Sequence, residues 1–212
     1  VSLYKYQLKE TLKNNPLVIT VSENTRSAIE KYLGIKKENI HLLQAYSDFA
    51  INKKQKRDNY LLYVGHIEPR KNLYLLIKSF LKWRAETGID MKLIISGEFW
   101  IKSAETKNIF NEFGNRDDIQ FTGYIDELKL RKLYSCASGF VHTSFAEGFC
   151  MPVLEAMHYN LPVLCSFNTG AEEISKPYSI VINPYSEKSL INGLKKLNGV
   201  ITSCEKVNYD IK

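Results

Sequence analysis

Two glutamates, Glu147 and Glu155, stand eight residues apart on either side of a proline. Proline is favoured at the first helical position, so we predict a helix that begins at Pro152. The backbone amides just before it then lie near the positive end of the helix dipole. These are the amides of Phe149, Cys150 and Met151.

Two carboxylates on either side of free amides suit a polyhydroxylated, partly anionic ligand. One carboxylate can accept hydrogen bonds from the vicinal hydroxyls of a ribose and the other from those of a hexose. Gly148 lets backbone approach such a ligand closely. The spacing leaves a second interpretation open, in which Glu147 is a surface residue and Glu155 is a favourable charge in the first helical turn.

A basic pair, Arg70 and Lys71, follows Gly65 in a loop that leads from a predicted strand into a helix. Cations are disfavoured at a helix N-terminus unless an anion lies beside them. The pair therefore indicates a diphosphate site, with arginine binding bidentately and lysine acting as a point charge. Two solvated cations at the end of a loop are the alternative.

Six short apolar runs alternate with helical patterns from Tyr60 onward, which is typical of β-α units on a parallel sheet. The runs are nearly continuous in hydrophobicity, as strands covered on both faces should be. We therefore predict an α/β fold with a Rossmann-like, doubly wound parallel sheet. The predicted strands are residues 60–64, 91–95, 119–121, 139–142, 162–164 and 179–182.

The helices between these strands follow from apolar spacing. Residues 73–81 match the i, i+3, i+4, i+7, i+8 pattern of an amphipathic helix. The same pattern predicts helices over residues 130–137, with Asp126 as the N-cap, and over residues 190–197. In open parallel sheets ligands bind beyond the carboxyl ends of the strands, which is where the glutamate loop and the basic loop both fall.

Residues 1–50 have a different organisation. They predict a helix over residues 3–13, a strand over 17–21, a helix from Ser22 to Leu33 ended by Gly34, and a strand over 40–43. Residues 47–59 are polar and basic, and we expect a loop there. Residues 1–50 are too few for a domain, so we expect the end of a preceding domain with its linker, and one main domain over residues 51–212.

Composition is that of a globular protein, with 44% hydrophobic and 25% charged residues. The four cysteines lack C-x-x-C spacing, so we expect reduced thiols. No apolar run approaches the roughly 20 residues that cross a bilayer, and the first residues lack a signal-peptide pattern. We therefore expect a cytoplasmic protein. The cysteines are Cys136, Cys150, Cys165 and Cys204.

The net charge of +6 has its densest patch in residues 53–57. This run is either a solvated basic loop or a patch attracted to an acidic membrane surface, in which case the protein associates with the membrane peripherally. Its lysines are not interleaved with a base-stacking motif, so no nucleic-acid partner is expected.

Three segments, in order, resemble the C-terminal, donor-binding domain of retaining family 4 glycosyltransferases (group 1), which have the two-domain GT-B fold. The ordered set covers residues 60–182 and is more specific than any single motif. The segments are Tyr63-Val64-Gly65 with Pro69-Arg70-Lys71-Asn72, then Phe121-Thr122-Gly123-Tyr124, then Glu147-Gly148-Phe149 with Pro152-Val153-Leu154-Glu155-Ala156-Met157.

The resemblance implies a site for a nucleotide-diphosphate sugar. Glu147, the first glutamate of the family's E-x7-E pattern, would contact the transferred sugar, and Glu155 would hold the ribose. Arg70 and Lys71 would neutralise the diphosphate and, with Glu147, form the catalytic set. The backbone around Tyr124 would lie against the base. The remaining implied donor contacts are Gly65, His66, Gly97, Ile125, Phe149, Cys150 and Met151.

The family works without a metal and retains the anomeric configuration, so the resemblance implies no cofactor. The chain has no D-x-D pattern, since Asp117 and Asp118 are adjacent. The implied mechanism is front-face displacement, in which the leaving diphosphate helps to deprotonate a saccharide or lipid-linked acceptor. The Glu-Pro-Arg-Lys-Asn run of residues 68–72 resembles hexosyltransferases of surface-polysaccharide assembly, which favours a mannosyl group from a guanosine rather than a uridine donor.

The chain departs from the family at His66, where arginine is common, at Cys150, where glycine is usual, and at Ala45-Tyr46, where Asn-Gly is common. Residues 1–50 resemble only the last helix and strand of the acceptor-binding domain. Two other functions stay open. One is a non-catalytic nucleotide-sugar-binding or assembly module, and the other is a dinucleotide enzyme, although no G-x-G-x-x-G follows a predicted strand.

Overall fold

A computed structural model describes residues 10–12, 17–43, 56–99, 104–203 and 209. By its internal contacts the chain divides into two compact units, Val1–Tyr46 and Ser47–Lys212. Most of the predicted helix over residues 3–13, the residues Ala45-Tyr46, most of the predicted loop over 47–59, and Cys204 lie outside the described residues.

The first unit contains two parallel strands, β1 (Val18–Thr20) and β2 (Ile40–Leu42), joined by helix α1 (Glu23–Leu33). Ser22 caps the helix by accepting a hydrogen bond from the Thr25 N–H. Gly34 ends it with a φ of 71°. The predicted helix ends at Ser22 and Gly34 are both confirmed.

The second unit is built on a six-stranded, fully parallel sheet. Its strands are β3 (Tyr60–Val64), β4 (Lys92–Ser96), β5 (Ile119–Gly123), β6 (Gly139–His142), β7 (Val163–Ser166) and β8 (Ile180–Ile182). Across the sheet they lie in the order β5-β4-β3-β6-β7-β8. The direction of winding reverses between β3 and β6, so the predicted doubly wound, Rossmann-like sheet is confirmed.

The four helices predicted in this unit, over residues 73–81, 130–137 and 190–197 and from Pro152 onward, are present. Asp126 caps its helix as predicted, since its side chain accepts a hydrogen bond from the Lys129 N–H at 2.9 Å. The helices are α2 (Leu73–Thr87), α3 (Ala104–Phe113), α4 (Glu127–Cys136), α5 (Met151–His158), α6 (Gly170–Ser175) and α7 (Glu187–Thr202).

The sheet separates two apolar cores. Alternate residues of β3 point to opposite faces, so Leu61 and Tyr63 join one core and Tyr60 and Leu62 the other. The first core includes residues of α2 and α7, and the second includes residues of α4 and α5. Burial on both faces explains the continuous apolar runs, and each fully buried large side chain contributes about 1.5–3 kcal/mol.

Glycines allow the loops after β3 and β4 to touch at the carboxyl edge of the sheet. Gly97 has a φ of 143°, and a Cβ atom there would lie 2.0 Å from the Gly65 carbonyl oxygen. The Gly65 N–H donates to the Ser96 carbonyl at 2.9 Å. Gly97 is therefore required by a backbone contact next to the basic loop, independently of any ligand.

Arg57, the last residue of the basic run, forms hydrogen bonds with the backbone of the second unit. Its guanidinium donates to the carbonyls of Ser135 at 3.1 Å and Tyr159 at 2.6 Å. These carbonyls lie at the C-terminal ends of α4 and α5, where backbone acceptors lack helical partners and a cation is favoured. The Arg57 guanidinium is therefore held by the fold, although the residue is exposed. Residues 53–55 of the basic run lie outside the described residues, so the solvated loop and the membrane-facing patch both stay predictions.

Across the described residues, no helix combines the length and apolar character that crossing a membrane requires.

Candidate functional site

The loops after β3 and β6 lie side by side where the winding of the sheet reverses. The β3 loop forms a short 3-10 turn, Pro69–Lys71, before α2 begins. The Phe145 N–H donates to the Arg70 carbonyl at 2.9 Å. Thr143 Oγ1 lies 3.4 Å from the Lys71 carbonyl oxygen. These bonds join the two loops, so residues 76 positions apart in sequence share one site.

Glu147 is ion-paired with both Arg70 and Lys71, the two residues predicted to bind a diphosphate. Lys71 Nζ donates to Glu147 Oε1 at 2.6 Å, and Arg70 Nη1 lies 3.3 Å from Oε2. The side chains of Lys71 and Glu147 are only 11% and 10% exposed, whereas that of Arg70 is 45% exposed. Arg70 also binds Glu68 and the Ala146 carbonyl, both at 2.6 Å. The two cations are therefore ion-paired and are not simply solvated.

His142 is a site residue that the sequence reasoning missed. Its Nε2 lies 3.0 Å from Glu147 Oε1 and 2.9 Å from Ser144 Oγ. The ring is buried and stacks on Tyr63 and Phe140. Its position at the end of an apolar strand, five residues before Glu147, was the available signal. A polar residue at the carboxyl end of a buried strand points toward the ligand edge of such a sheet.

The hydrogen bonding of its two ring nitrogens decides which of them carries the proton of neutral His142. Within the part of the chain that the structure describes, His142 Nδ1 is buried and has no hydrogen-bond partner. A buried N–H without an acceptor is costly, so the proton belongs on Nε2, where it can be donated. Burial lowers the pKa of His142, and the neighbouring carboxylate only partly offsets this. His142 is therefore a neutral donor to Glu147.

The pKa of Glu147 lies well below its usual range. Burial alone would raise this pKa, but hydrogen bonds from His142 and Lys71 outweigh the effect of burial. The loop that carries Glu147 is also held by contacts with Gly170, the first residue of α6. The Gly170 N–H donates to the Glu147 carbonyl at 3.0 Å, and a Cβ at Gly170 would lie 2.3 Å from the Gly148 carbonyl oxygen. Glu147 is thus an ionised carboxylate carried on a fixed loop.

Glu155 is held by different partners. Helix α5 begins at Met151 instead of the predicted Pro152, so Glu155 is its fifth residue and lies beyond the first turn. The interpretation of Glu155 as a favourable first-turn charge is therefore wrong. Tyr134 Oη, from α4, donates to Glu155 Oε2 at 2.7 Å. Burial raises the pKa of Glu155, and the Tyr134 hydrogen bond offsets only part of this.

Cys150 caps α5 in a left-handed conformation, with φ 81° and ψ 70°. A side chain in this conformation costs roughly 1–2 kcal/mol relative to glycine, which explains why glycine is usual in the family at this position. The residue is buried, and burial raises the pKa of its thiol. Cys150 is therefore a neutral, unreactive thiol that shapes the loop. Cys136 and Cys165 are also buried cysteines outside any disulfide, as expected.

The remaining predicted residues lie along the same edge of the sheet. His66 is exposed in the β3 loop. Tyr124 follows β5 and is 78% exposed. Ile125 lines a groove of about 610 Å³ between β5 and α4, together with Thr122 and Leu133. Asp118, by contrast, precedes β5 and therefore lies at the opposite, amino edge of the sheet, where it is ion-paired with Arg84 and Arg116.

Comparison with known proteins agrees with this architecture. The sequence profile of the family "Glycosyl transferases group 1" matches residues 46–199. O-antigen chain mannosyltransferase B of Escherichia coli is 33% identical over 192 residues, which are 84% of this chain and 50% of that protein. O-antigen chain mannosyltransferase RfbU of Salmonella typhimurium is 29% identical over 209 residues, which are 97% of this chain and 57% of that protein.

Solved structures share the fold at lower identity. The crystal structure of TarM has a TM-score of 0.76 and 20% identity, over 96% of this chain and 40% of that chain. HepE from Anabaena, solved with UDP and glucose, has a TM-score of 0.73 and 19% identity, over 90% of this chain and 55% of that chain. The chain thus spans about half the length of the curated relatives it matches. The extent of the profile match, together with the architecture of the sheet, shows that the chain belongs to the group 1 glycosyltransferases.

Proposed function

We propose that this chain is the donor-binding half of a retaining hexosyltransferase. It binds a nucleotide-diphosphate sugar, and we assign the transferred group as mannosyl and the acceptor as a saccharide or lipid-linked saccharide. Membership of the glycosyltransferase family and the names of two O-antigen mannosyltransferase relatives support the reaction class and the sugar. The observation that carries the proposal is the ion-paired cluster of Arg70, Lys71 and Glu147, which lies between β3 and β6, where the winding of the sheet reverses.

The cluster is suited to exchange of one anion for another. Without a donor, the Glu147 carboxylate balances the charge of the nearly buried Lys71. A diphosphate carries more negative charge and can accept bidentate hydrogen bonds from Arg70. On donor binding, the phosphates take over the two cations, and Glu147 turns toward the hydroxyls of the transferred sugar while His142 still donates to it. The same carboxylate thus serves as counterion and then as sugar ligand.

The transfer step needs no protein nucleophile. The acceptor hydroxyl oxygen forms a bond to the anomeric carbon on the face from which the diphosphate leaves, and the bond to the diphosphate breaks. The acceptor proton passes to an oxygen of the departing phosphate. Arg70 and Lys71 stabilise the charge that develops there, which is the electrostatic contribution expected of fixed cations in a partly buried site. This step uses no metal and no further cofactor.

Glu155 is the proposed ribose ligand. Its carboxyl group is already oriented by Tyr134 Oη at 2.7 Å, which leaves a second oxygen to accept hydrogen bonds from vicinal hydroxyls. The groove beside Ile125 is the proposed place of the nucleobase.

Ligand-dependent thermal stability tests the proposal. A ligand that binds only the folded chain raises the melting temperature, so GDP, UDP and ADP, and then GDP-mannose, are added separately. We expect GDP to give the largest shift and Lys71→Ala to reduce that shift strongly. The matched control is Lys195→Ala, because Lys195 is ion-paired with Glu86 at 3.0 Å on an outer helix. The control keeps the full shift.

The nucleotides separate the outcomes. A larger shift with UDP than with GDP would replace the guanosine donor by a uridine donor and leave the site unchanged. No shift with any nucleotide, or equal shifts in the wild type and Lys71→Ala, would contradict a diphosphate site at this cluster.

A further inference from the structure

Tyr185 is an exposed aromatic residue on a tightly held loop. It lies between β8 and α7 and is 71% exposed. Its N–H donates to Asn183 Oδ1 at 2.9 Å, and the Ser186 N–H donates to the Asn183 carbonyl at 3.1 Å. The adjacent Pro184 carbonyl accepts from Asn72 Nδ2 at 2.7 Å. The backbone beneath the ring is therefore fixed, although the side chain faces solvent.

One face of the Tyr185 ring stacks on Phe145, with ring centroids 4.9 Å apart and an angle of 21° between the planes. Phe145 belongs to the β6 loop, and its N–H holds the Arg70 carbonyl at 2.9 Å. Single exposed apolar side chains are ordinary on protein surfaces. A stacked pair on a hydrogen-bonded backbone is different. Its side chains are already ordered, so binding a ligand costs less conformational entropy. We name Phe145 and Tyr185 the aromatic platform.

The platform adjoins the transfer site. Phe145 lies two residues before Glu147, and two residues of chain span at most about 7 Å. The other link is Asn72, which follows Lys71 directly and binds the Pro184 carbonyl next to Tyr185. The platform is therefore attached to both loops of the cluster.

The order of strands separates the platform from the nucleotide. Tyr124 follows β5 at one end of the sheet, Arg70 follows β3, Glu147 follows β6, and Tyr185 follows β8 at the other end. In the proposed function, base, diphosphate and transferred sugar occupy the first three positions in that order. The next position along the sheet, beside the transferred sugar and away from the base, is left for a ring of the acceptor, whose reacting hydroxyl still reaches the anomeric carbon on the face from which the diphosphate leaves.

We propose that the aromatic platform binds a sugar ring of the acceptor. The inference rests on the proposed function, since it takes the donor sugar to lie at Glu147. One face of a pyranose presents mostly C–H bonds, and these pack favourably on the electron-rich face of an aromatic ring. Tyr185 Oη can also exchange a hydrogen bond with a sugar hydroxyl. The platform therefore recognises a saccharide, in contrast to the charged groups that bind the donor.

Binding of mannobiose to the full chain in the presence of saturating GDP tests the inference by NMR. In the wild type, C–H protons of one mannose ring shift upfield, because they lie over an aromatic face. Tyr185→Ala removes the shift and weakens mannobiose binding about tenfold, which corresponds to the loss of one aromatic contact. Tyr185→Phe retains the shift and binds within about twofold of the wild type. Affinity for GDP is the same in all three.

Tyr178→Ala is the matched control. Tyr178 is 47% exposed and precedes β8, so it lies at the amino edge of the sheet, opposite to Tyr185. This variant keeps mannobiose binding unchanged. A thermal melt of each variant confirms folding, and the upfield shift in the wild type is informative without any variant.

Failure of the inference differs from failure of the proposed function. A wild-type chain that binds GDP but neither binds mannobiose nor shifts its protons would overturn the acceptor platform and leave the donor site standing. A Tyr185→Ala variant that loses GDP and mannobiose affinity equally would assign the ring to the donor, which also overturns the inference. Absence of GDP, UDP and ADP binding in the wild type would remove the proposed function itself.

Discussion

Glu147 and Glu155 belong to one loop and the helix that follows it, yet their carboxyl groups have opposite electrostatic surroundings. Hydrogen bonds from His142 and Lys71 outweigh burial at Glu147, so its pKa lies below the usual range. At Glu155 burial is the largest effect and raises the pKa, with a Tyr134 hydrogen bond as a partial offset. The difference arises from neighbouring strands and helices, since the two residues are chemically identical.

The contrast indicates two kinds of preparation for a ligand. Glu147 is an ionised group inside a set of cations, so an incoming anion has to compete with it for Lys71 and Arg70. Burial disfavours the charged form of Glu155, and additional hydrogen-bond donors, such as sugar hydroxyls, would stabilise that form. In the proposed function, the first carboxylate responds to the diphosphate and the second to the ribose.

Removing the charge of Glu147 is expected to have the largest effect. Glu147→Gln leaves Lys71 charged and nearly buried without its counterion, so we expect the free energy of unfolding at pH 7 to fall by about 1–3 kcal/mol in urea titrations. Transfer, in the proposed function, falls about a hundredfold. Glu187→Gln is the control, because its pair with Lys82 is exposed and is worth at most about 1 kcal/mol.

The same variant changes the response to acid. The pKa of Glu147 is lowered in the folded chain, so its contribution to stability is present above 4.5, the ordinary value, and is lost as the pH falls below it. The loss of stability between pH 6 and pH 3 should therefore be smaller in Glu147→Gln than in the wild type. An equal loss in both would contradict the ionised, ion-paired state of Glu147.

Removing the donor at His142 is expected to have an intermediate effect. His142→Leu leaves Glu147 with one hydrogen bond fewer and should lower the free energy of unfolding by about 1–2 kcal/mol, whereas His142→Gln can still donate and should retain most of it. Both variants should also flatten the pH dependence between about 7 and 5. Burial lowers the pKa of His142, so the unfolded chain takes up its proton first and the wild type loses stability as the pH falls below 6.5.

Chemical shifts of the imidazole nitrogens check the tautomer directly. We expect a protonated Nε2 and an unprotonated Nδ1 at pH 7. A proton on Nδ1, or equal stability of His142→Leu and His142→Gln, would contradict the assignment of His142 as a hydrogen-bond donor to Glu147.

Neutralising Glu155 is expected to have the smallest effect on stability and the opposite sign. Its pKa is raised in the folded chain, so the contribution of its proton is present below the ordinary value and is lost as the pH rises through the folded value. Glu155→Gln is always neutral, so it should gain up to about 1 kcal/mol over the wild type at pH 7 and nothing at pH 4. Calorimetry should show weaker nucleotide binding, and unchanged binding would argue against a ribose ligand.

Much of the fold was predictable because its signals are local. Continuous apolar runs placed all six strands of the sheet, with ends within about two residues. Short-range chemistry located Ser22, Gly34 and Asp126 as helix ends, since a cap bonds to backbone only three or four residues away. The start of α5 was placed one residue late, because Cys150 adopts a left-handed conformation that composition does not reveal for a residue other than glycine.

Strand periodicity, helix capping and loop composition are properties of neighbouring residues, so they were sufficient to predict a parallel α/β sheet and the two loops that carry its charged residues. How those charged residues act depends on the tertiary structure. It brought His142 and Lys71 to Glu147, Tyr134 to Glu155, and Phe145 to Tyr185, because parallel strands bring together the ends of segments that are distant in the chain. The ionisation and orientation of these side chains depend on burial and on partners that are distant in the chain, so no local pattern in the sequence predicts them.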